Sequence, residues 1–396
     1  MRRSIDRILT THVGALHRPV DLQETILLAQ SGAPNDERAL AARLRSAVAE
    51  VVQRQLDLGI DIVNDGEYSK SGWTSYVLDR MDGLAVQPLV KGAMRSTSRD
   101  RSDFRQFYAD LDAQTFYLEP AELKAFVALS GNSVVCTGPI EYSERGRKAL
   151  QADIENLRLA VHATGTEESF LPVVGPGSIQ PYIRDAHYGT PERLFAALAK
   201  ALRTEYEAIV GAGFVCQIDD AFLPWEWDRR SLEAGWDMRA YRRWAELAVE
   251  ALNSAIKGLP AERLRYHVCW GSWNGPHSTD VPLRQIVDLV LRVNVQGYVI
   301  EAANCRHEFE YHVWEEVRLP DGKVLIPGVI EHATHVVEHP ETVADRILRF
   351  AKIVGRENVI AGTDCGMRSR SHPQVAWAKL KSLCEGARLA SQRLWN

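Results

Sequence analysis

Apolar positions along the chain follow two alternating rhythms. Short β-branched runs recur between longer segments in which apolar residues return every three or four positions. ERALAARLRSAVAEVVQRQLDLG (37–59) has helical spacing and ends at a glycine, as helices commonly do. DIVNDGE (61–67) follows as a strand that closes on polar residues. Further strand-like runs are ILTTHVG, SVVCTGPI, FLPVVGPGSI, FVCQIDDA, RYHVCWG, GYVIEAAN, KVLIPGVIEH and NVIAGTDCGM. Helical patterns lie between them, among them TPERLFAALAKALRTEYEAIVGAG, where Thr190 before Pro191 predicts an N-cap and first turn. DMRAYRRWAELAVEALNSAI and HPETVADRILRFAKIVG read the same way.

Repeated strand–helix units imply a parallel sheet buried under helices, and about eight of them predict an α/β fold of the (β/α)8 TIM-barrel type. The runs number nine, one more than the barrel has places, so one is an extra strand. An open doubly wound sheet is the alternative, but GPGSIQP lacks the spacing of a phosphate-binding glycine loop. The stretch 86–130 is polar, charged and aromatic with no clear strand, and reads as a long insertion after the second strand, a lid or interface element. The expected organisation is one barrel over 1–396 carrying that insertion.

Composition narrows the function more than the fold. The 396 residues are 45% hydrophobic and 25% charged, ordinary for a globular protein. A net charge of −5 gives no basis for binding nucleic acid or an anionic membrane. No apolar run approaches the ~18 residues of a membrane span, and the opening MRRSIDRILTTHVGAL lacks the apolar stretch of a signal peptide. Six cysteines in so long a chain read as thiols or ligands, not a disulfide framework, and the expected compartment is the cytoplasm.

Polar residues gather where the predicted strands end: Asn64, Asp65 and Glu67; Asp219 and Asp220; His267 and Cys269; Glu301 and Asn304; Glu331 and His332; Asp364 and Cys365. In a parallel barrel that end carries the chemistry. His267 and Cys269 stand two apart, so a strand points both to one side. With Glu301 and Cys365 they make a nitrogen, oxygen and two-sulfur donor set, which favours zinc over calcium or magnesium. Zinc-finger loops pair their ligands two to four residues apart, and this set does not. Two thiolates and a carboxylate make a bound zinc a weak Lewis acid. Such a site suits a substrate thiol, whose pKa falls from about 8.5, better than a water molecule. Cys136, Cys216, Cys305 and Cys384 read as small apolar residues.

These motifs, from TTHVGALHRP to GTDCGMRSR, resemble the cobalamin-independent methionine synthase family and its zinc-bearing catalytic barrel. The resemblance implies zinc bound by His267, Cys269, Glu301 and Cys365. It also implies that the substrate amine meets Glu67 of NDGE and Asp219 of QIDDA, with Asp220 where the family usually has glutamate. A second barrel of the full-length synthases has no room here. The chain looks more like the short relatives, which include corrinoid-linked methionine synthases and epoxyalkane:coenzyme M transferases. The family's Asp-x-His-Ser segment, source of an acid histidine, reads VIEHATH here. Glu331 takes the aspartate place and Ala333 the histidine place, so His332 is displaced by one residue. A regular strand would face it away; either a local irregularity restores it, or His335 or another group supplies the proton.

The reading is a zinc-dependent thiol alkyltransferase, foremost an S-methyltransferase acting on a homocysteine-like thiolate. Its partners are a small thiol and an alkyl donor, without nucleic acid or membrane; a homo-oligomer is compatible with it. Glu331 and His332 are the acid candidates. The rivals are an epoxide-opening thiol transferase, a zinc hydrolase, a tetrapyrrole-binding barrel like uroporphyrinogen decarboxylase, and a purely structural zinc site. Trp225, Trp227, Trp270 and Trp273 flank strand ends and could wall a pocket.

Overall fold

The computed structural model describes residues 1–30, 36–88, 98–113, 132–271, 274–368 and 370–396. Its strands are β1 (Leu9–Thr10), β2 (Ile62–Val63), β3 (Met81–Pro88), β4 (Asn132–Tyr142), β5 (Glu168–Val174), β6 (Ile183–Asp185), β7 (Val215–Asp219), β8 (Leu264–Val268), β9 (Gly297–Ile300), β10 (Val324–Ile330) and β11 (Ile360–Thr363). Eight form one parallel sheet in the order β1-β11-β10-β9-β8-β7-β5-β2, a nearly closed barrel wrapped by helices. The (β/α)8 expectation is met.

Buried parallel strands carry apolar residues on both faces, and here the two faces feed separate cores. Inside the barrel are Leu9, Val13, Ile62, Phe170, Val215, Val299, Val324, Ile326 and Ile360. Their strand neighbours, such as Cys216, Ile218, Tyr266, Tyr298 and Leu325, join the large outer core under the helices. Alternation then carries Asp219, His267 and Glu301 to the inner side. Arg265 is also inside and fully buried, its guanidinium 3.6 Å from the Phe170 ring centroid and donating to Thr11 Oγ1 and the His12 carbonyl.

The helices end where the sequence predicts. Asp36 caps the helix Glu37–Leu58, which stops at Gly59. Thr190 accepts from the Arg193 N–H ahead of Pro191–Gly211. Met238–Ile256 and Pro340–Val354 complete the expected set.

The surplus strand is SVVCTGPI. It lies in β4, which pairs antiparallel with β3 and parallel with β6 in a separate three-stranded sheet. Neither β3 nor β6 stands out in the sequence, because both draw their order from pairing with β4. Of the insertion 86–130, residues 89–97 and 114–130 lie outside the described residues. What is described includes a short helix, Arg99–Asp103, tied to the barrel's C-terminal face. Asp100 is buried there and accepts from the backbone N–H groups of His277 and Ser278, while its own N–H donates to Asp228. Among the described residues no helix is long and apolar enough to cross a membrane.

Candidate metal centre

β7 and β8 pair in register so that Asp219 stands beside His267. Both project inward, and the His267 Nδ1–H donates to Asp219 Oδ1 at 2.9 Å. Gln217, two residues back on the same face, donates to that oxygen at 2.8 Å. With Nδ1 engaged, Nε2 is the imidazole nitrogen left for a ligand; it is buried and has no hydrogen-bond partner. A carboxylate behind a histidine in this way sets its tautomer and direction at a metal site.

Cys269 follows β8 and Cys365 follows β11, and their sulfurs are 3.9 Å apart. That is far beyond a disulfide bond, about 2.05 Å. It matches the roughly 3.8 Å between two sulfurs placed tetrahedrally at ~2.3 Å from one zinc ion. The donor atoms of His267, Cys269 and Cys365 all lie within 4.8 Å of one another, the expected convergence of separate strand ends. Glu301 stands outside that grouping but beside it. Its Oε2 accepts from Asn304 Nδ2 at 3.2 Å and meets Arg306 at 3.5 Å, while Oε1 is buried without a partner. Two orphaned atoms, His267 Nε2 and Glu301 Oε1, accompany two converging thiols. The donor set therefore fits a thiophilic divalent cation.

Burial and crowding of like charge shift the proton affinity of each donor. Burial pushes the Glu301 carboxyl up to about 8, against the pull of Arg306 and with a further push from Asp364. Burial alone would lower the His267 imidazole, but the hydrogen bond and charge of Asp219, with Cys365 and Glu301, carry it up to about 9. Their mutual hydrogen bond and burial push the Cys269 thiol well up, while that bond and the charge of His267 bring the Cys365 thiol down. A cation takes the place of such protons.

The carboxylates expected at the substrate separate into different environments. Glu67 sits after β2 with φ +57°, a left-handed conformation rare for a non-glycine residue. Arg18 and Arg368 donate to its carbonyl, and Asp65 accepts its N–H. A Cβ at Gly14 would stand 2.6 Å from Glu67 Oε1, so glycine is needed there for the carboxylate to fit. Burial pushes Glu67 up to about 7, opposed by Lys70 and Arg368 and reinforced by Asp219. An ordinary carboxyl is ionised at neutral pH; burial moves this one close to its midpoint there. Asp219 is committed to His267 through Oδ1, with its side chain 11% exposed. Asp220 points to the opposite side of β7 and is buried. Its oxygens accept from Ser178 Oγ at 2.8 Å and Tyr266 OH at 3.0 Å, and burial raises it to about 6.

The VIEHATH segment does have a local irregularity. The β10–β11 register shifts between Gly328 and Ile330, and Val329 and Ile330 both enter the outer core. Regular alternation thus ends just before Glu331 and His332. His332 is fully buried and Glu331 partly so, with burial raising the Glu331 carboxyl. Neither belongs to the group of donors around the cysteines, and His335 is exposed. Trp270 is packing: it is buried, donates to the Val281 carbonyl and stacks on His307 at 4.0 Å. Trp225 and Trp227 are half-buried, and Trp273 lies outside the described residues. Sequence reasoning placed Asn304 and Asp364 among the strand-end polar residues without a role of their own, and took Arg306 only as a loop arginine that could face the substrate pocket. Their only signal was position, within a few residues of Glu301 and Cys365.

Known proteins are similar to this chain along nearly its whole length. Methionine synthase of Saccharolobus solfataricus is 24% identical over 390 residues, covering 97% of this chain and 95% of that protein. Methionine synthase of Sulfolobus acidocaldarius is 22% identical over 399 residues, covering 100% and 95%. The solved B12-independent methionine synthase from Shewanella sp. W3-18-1, in complex with selenomethionine, has the same fold. Its TM-score is 0.71 at 22% identity, over 98% of this chain and 99% of that one. Residues 183–389, more than half the chain and all four candidate ligands, match the family described as cobalamin-independent synthase, catalytic domain. The chain belongs to the cobalamin-independent methionine synthase family.

Proposed function

We propose that this protein is a zinc-dependent S-methyltransferase that methylates a homocysteine-like thiolate, with His267, Cys269, Glu301 and Cys365 as ligands. The observation that carries the reading is the convergence of His267, Cys269 and Cys365 within 4.8 Å beside the orphaned Glu301 Oε1. Bound zinc supplies a soft Lewis acid that keeps a substrate thiol as its thiolate at neutral pH.

The chain's own residues do the rest. Asp219 holds the His267 ring with Nε2 toward the cluster. Glu67, near its midpoint at neutral pH, pairs as the carboxylate with a substrate ammonium, the proton of its neutral form passing to solvent as the substrate enters. Asp219 adds negative charge on the same side. Asp220, enclosed by Ser178 and Tyr266, braces the β7 end instead of touching substrate. Glu331 and His332 remain the acid candidates, Glu331 because burial moves its proton loss toward neutrality. The barrel over 1–396 forms one catalytic domain. The helix Arg99–Asp103, anchored through Asp100 to His277 and Ser278, packs on the C-terminal face.

The test is to load the protein with zinc and with cobalt, then add homocysteine. Stoichiometric metal, stronger sulfur-to-cobalt charge-transfer absorption on adding homocysteine, and methionine formed with a methyl donor support the reading. An unchanged cobalt spectrum with every thiol that turns over removes it.

A further inference from the structure

Glu301 begins a turn whose next three backbone N–H groups all end on one residue. Asp364 Oδ1 accepts from the backbone N–H groups of Ala302 and Ala303, both at 2.8 Å. Asp364 Oδ2 accepts from the Asn304 N–H at 2.8 Å and from Asn304 Nδ2 at 2.9 Å. Four donors on one fully buried carboxylate fill its acceptor sites. Asn304 passes the constraint onward. Its Nδ2 also donates to Glu301 Oε2 at 3.2 Å, and its Oδ1 accepts from the N–H groups of Arg306 and His307. The primary amide has two N–H bonds, one for each carboxylate. Gly328 of β10 leaves room for this packing, since a Cβ there would stand 2.7 Å from the Asp364 backbone nitrogen.

We propose that Asp364 and Asn304 are positioning residues that fix the rotation of the Glu301 carboxylate, reserving Oε2 for the protein and presenting only Oε1 to the ion. Asp364 precedes Cys365, so the same carboxylate ties the ligand after β9 to the ligand after β11. Bonds to a charged acceptor in a buried site are the stronger kind. The inference rests on the reading of Glu301 as a ligand.

The experiment is a double-mutant cycle on zinc affinity, measured by chelator competition on the full chain, with thermal unfolding of the metal-free protein alongside. Asn304→Ala weakens zinc binding about 10–100-fold, the effect usual for outer partners of metal ligands. In the Glu301→Ala background the same change has no further effect, because there is no carboxylate left to aim. A role in folding alone lowers the unfolding temperature and acts equally in both backgrounds; that result overturns the proposal. Should Asn304→Ala fail to fold, Asp364→Asn serves as the second variant, since its amide turns donors toward the turn's own N–H groups. Equal zinc affinity in wild type and Asn304→Ala also overturns it. The ligand reading fails separately, if Glu301→Ala alone leaves zinc affinity unchanged.

Discussion

The two walls of the barrel mouth handle charge in opposite ways. On the β7–β9 and β11 side, every candidate ligand has a partner behind it: Asp219 for His267, Asn304 and Asp364 for Glu301, and the two cysteines for each other. The ligand atoms themselves, His267 Nε2 and Glu301 Oε1, are left bare. On the β2 side, Glu67 is aimed by its backbone, through a left-handed turn whose carbonyl is held by Arg18 and Arg368. Its carboxyl is balanced between charged and neutral. On the reading proposed above, one wall exchanges protons for a metal ion, while the other develops charge when a substrate ammonium comes. Oriented donors and tuned burial are separate devices, and mutation can take them apart.

The largest effect is expected at the thiols. Cys269→Ser or Cys365→Ser exchanges a thiolate for a poor hydroxyl ligand, and zinc content measured by elemental analysis should collapse, beyond the ~100-fold that outer partners cost. Full occupancy in both variants would falsify the metal wall.

Asp219→Asn comes next. It keeps the shape but removes the charge behind His267, so zinc affinity should fall about 10–100-fold. Homocysteine binding, followed by the cobalt spectrum, should weaken further at saturating metal if Asp219 also faces the amine.

Glu67→Gln tests the other wall. Zinc content should stay at the wild-type level while homocysteine binding weakens about tenfold or more, the worth of a hydrogen bond between charged groups. The pH dependence has a definite sign. Glu67 loses its proton near 7, so below that value its charged form, and with it the amine contact, declines. Homocysteine affinity should drop as pH falls from 7 toward 6, relative to a thiol lacking the amine. The glutamine variant should remove that difference. An amine-independent pH profile in wild type would unseat Glu67.

The smallest effect on ligand binding is expected at Asp220. Asp220→Asn leaves buried Ser178 and Tyr266 partners poorly matched and should lower stability by about 1–3 kcal/mol in denaturant titration. Metal and thiol binding should be nearly unchanged. A loss of homocysteine affinity without loss of stability would return Asp220 to the substrate site.

Much of this protein is legible in one dimension because strand and helix periods are local. The helix ends at Thr190 and Gly59, the shared inward face of His267 and Cys269, and the collection of polar residues at strand ends all follow from spacing and capping chemistry. The same alternation separates Asp219 from Asp220, since neighbours on a strand face opposite ways. The tertiary structure decided what depends on distant partners. SVVCTGPI is as apolar as a barrel strand, yet it joins β3 and β6, because pairing and not hydrophobicity chooses the sheet. Glu67 is near 7 through burial and through nearby Lys70 together with Arg368 and Asp219, which no local pattern brings to it. Asp364 meets Asn304 from 60 residues away, across the gap that β10 fills. Periodicity says which way a side chain faces; only packing says what waits there.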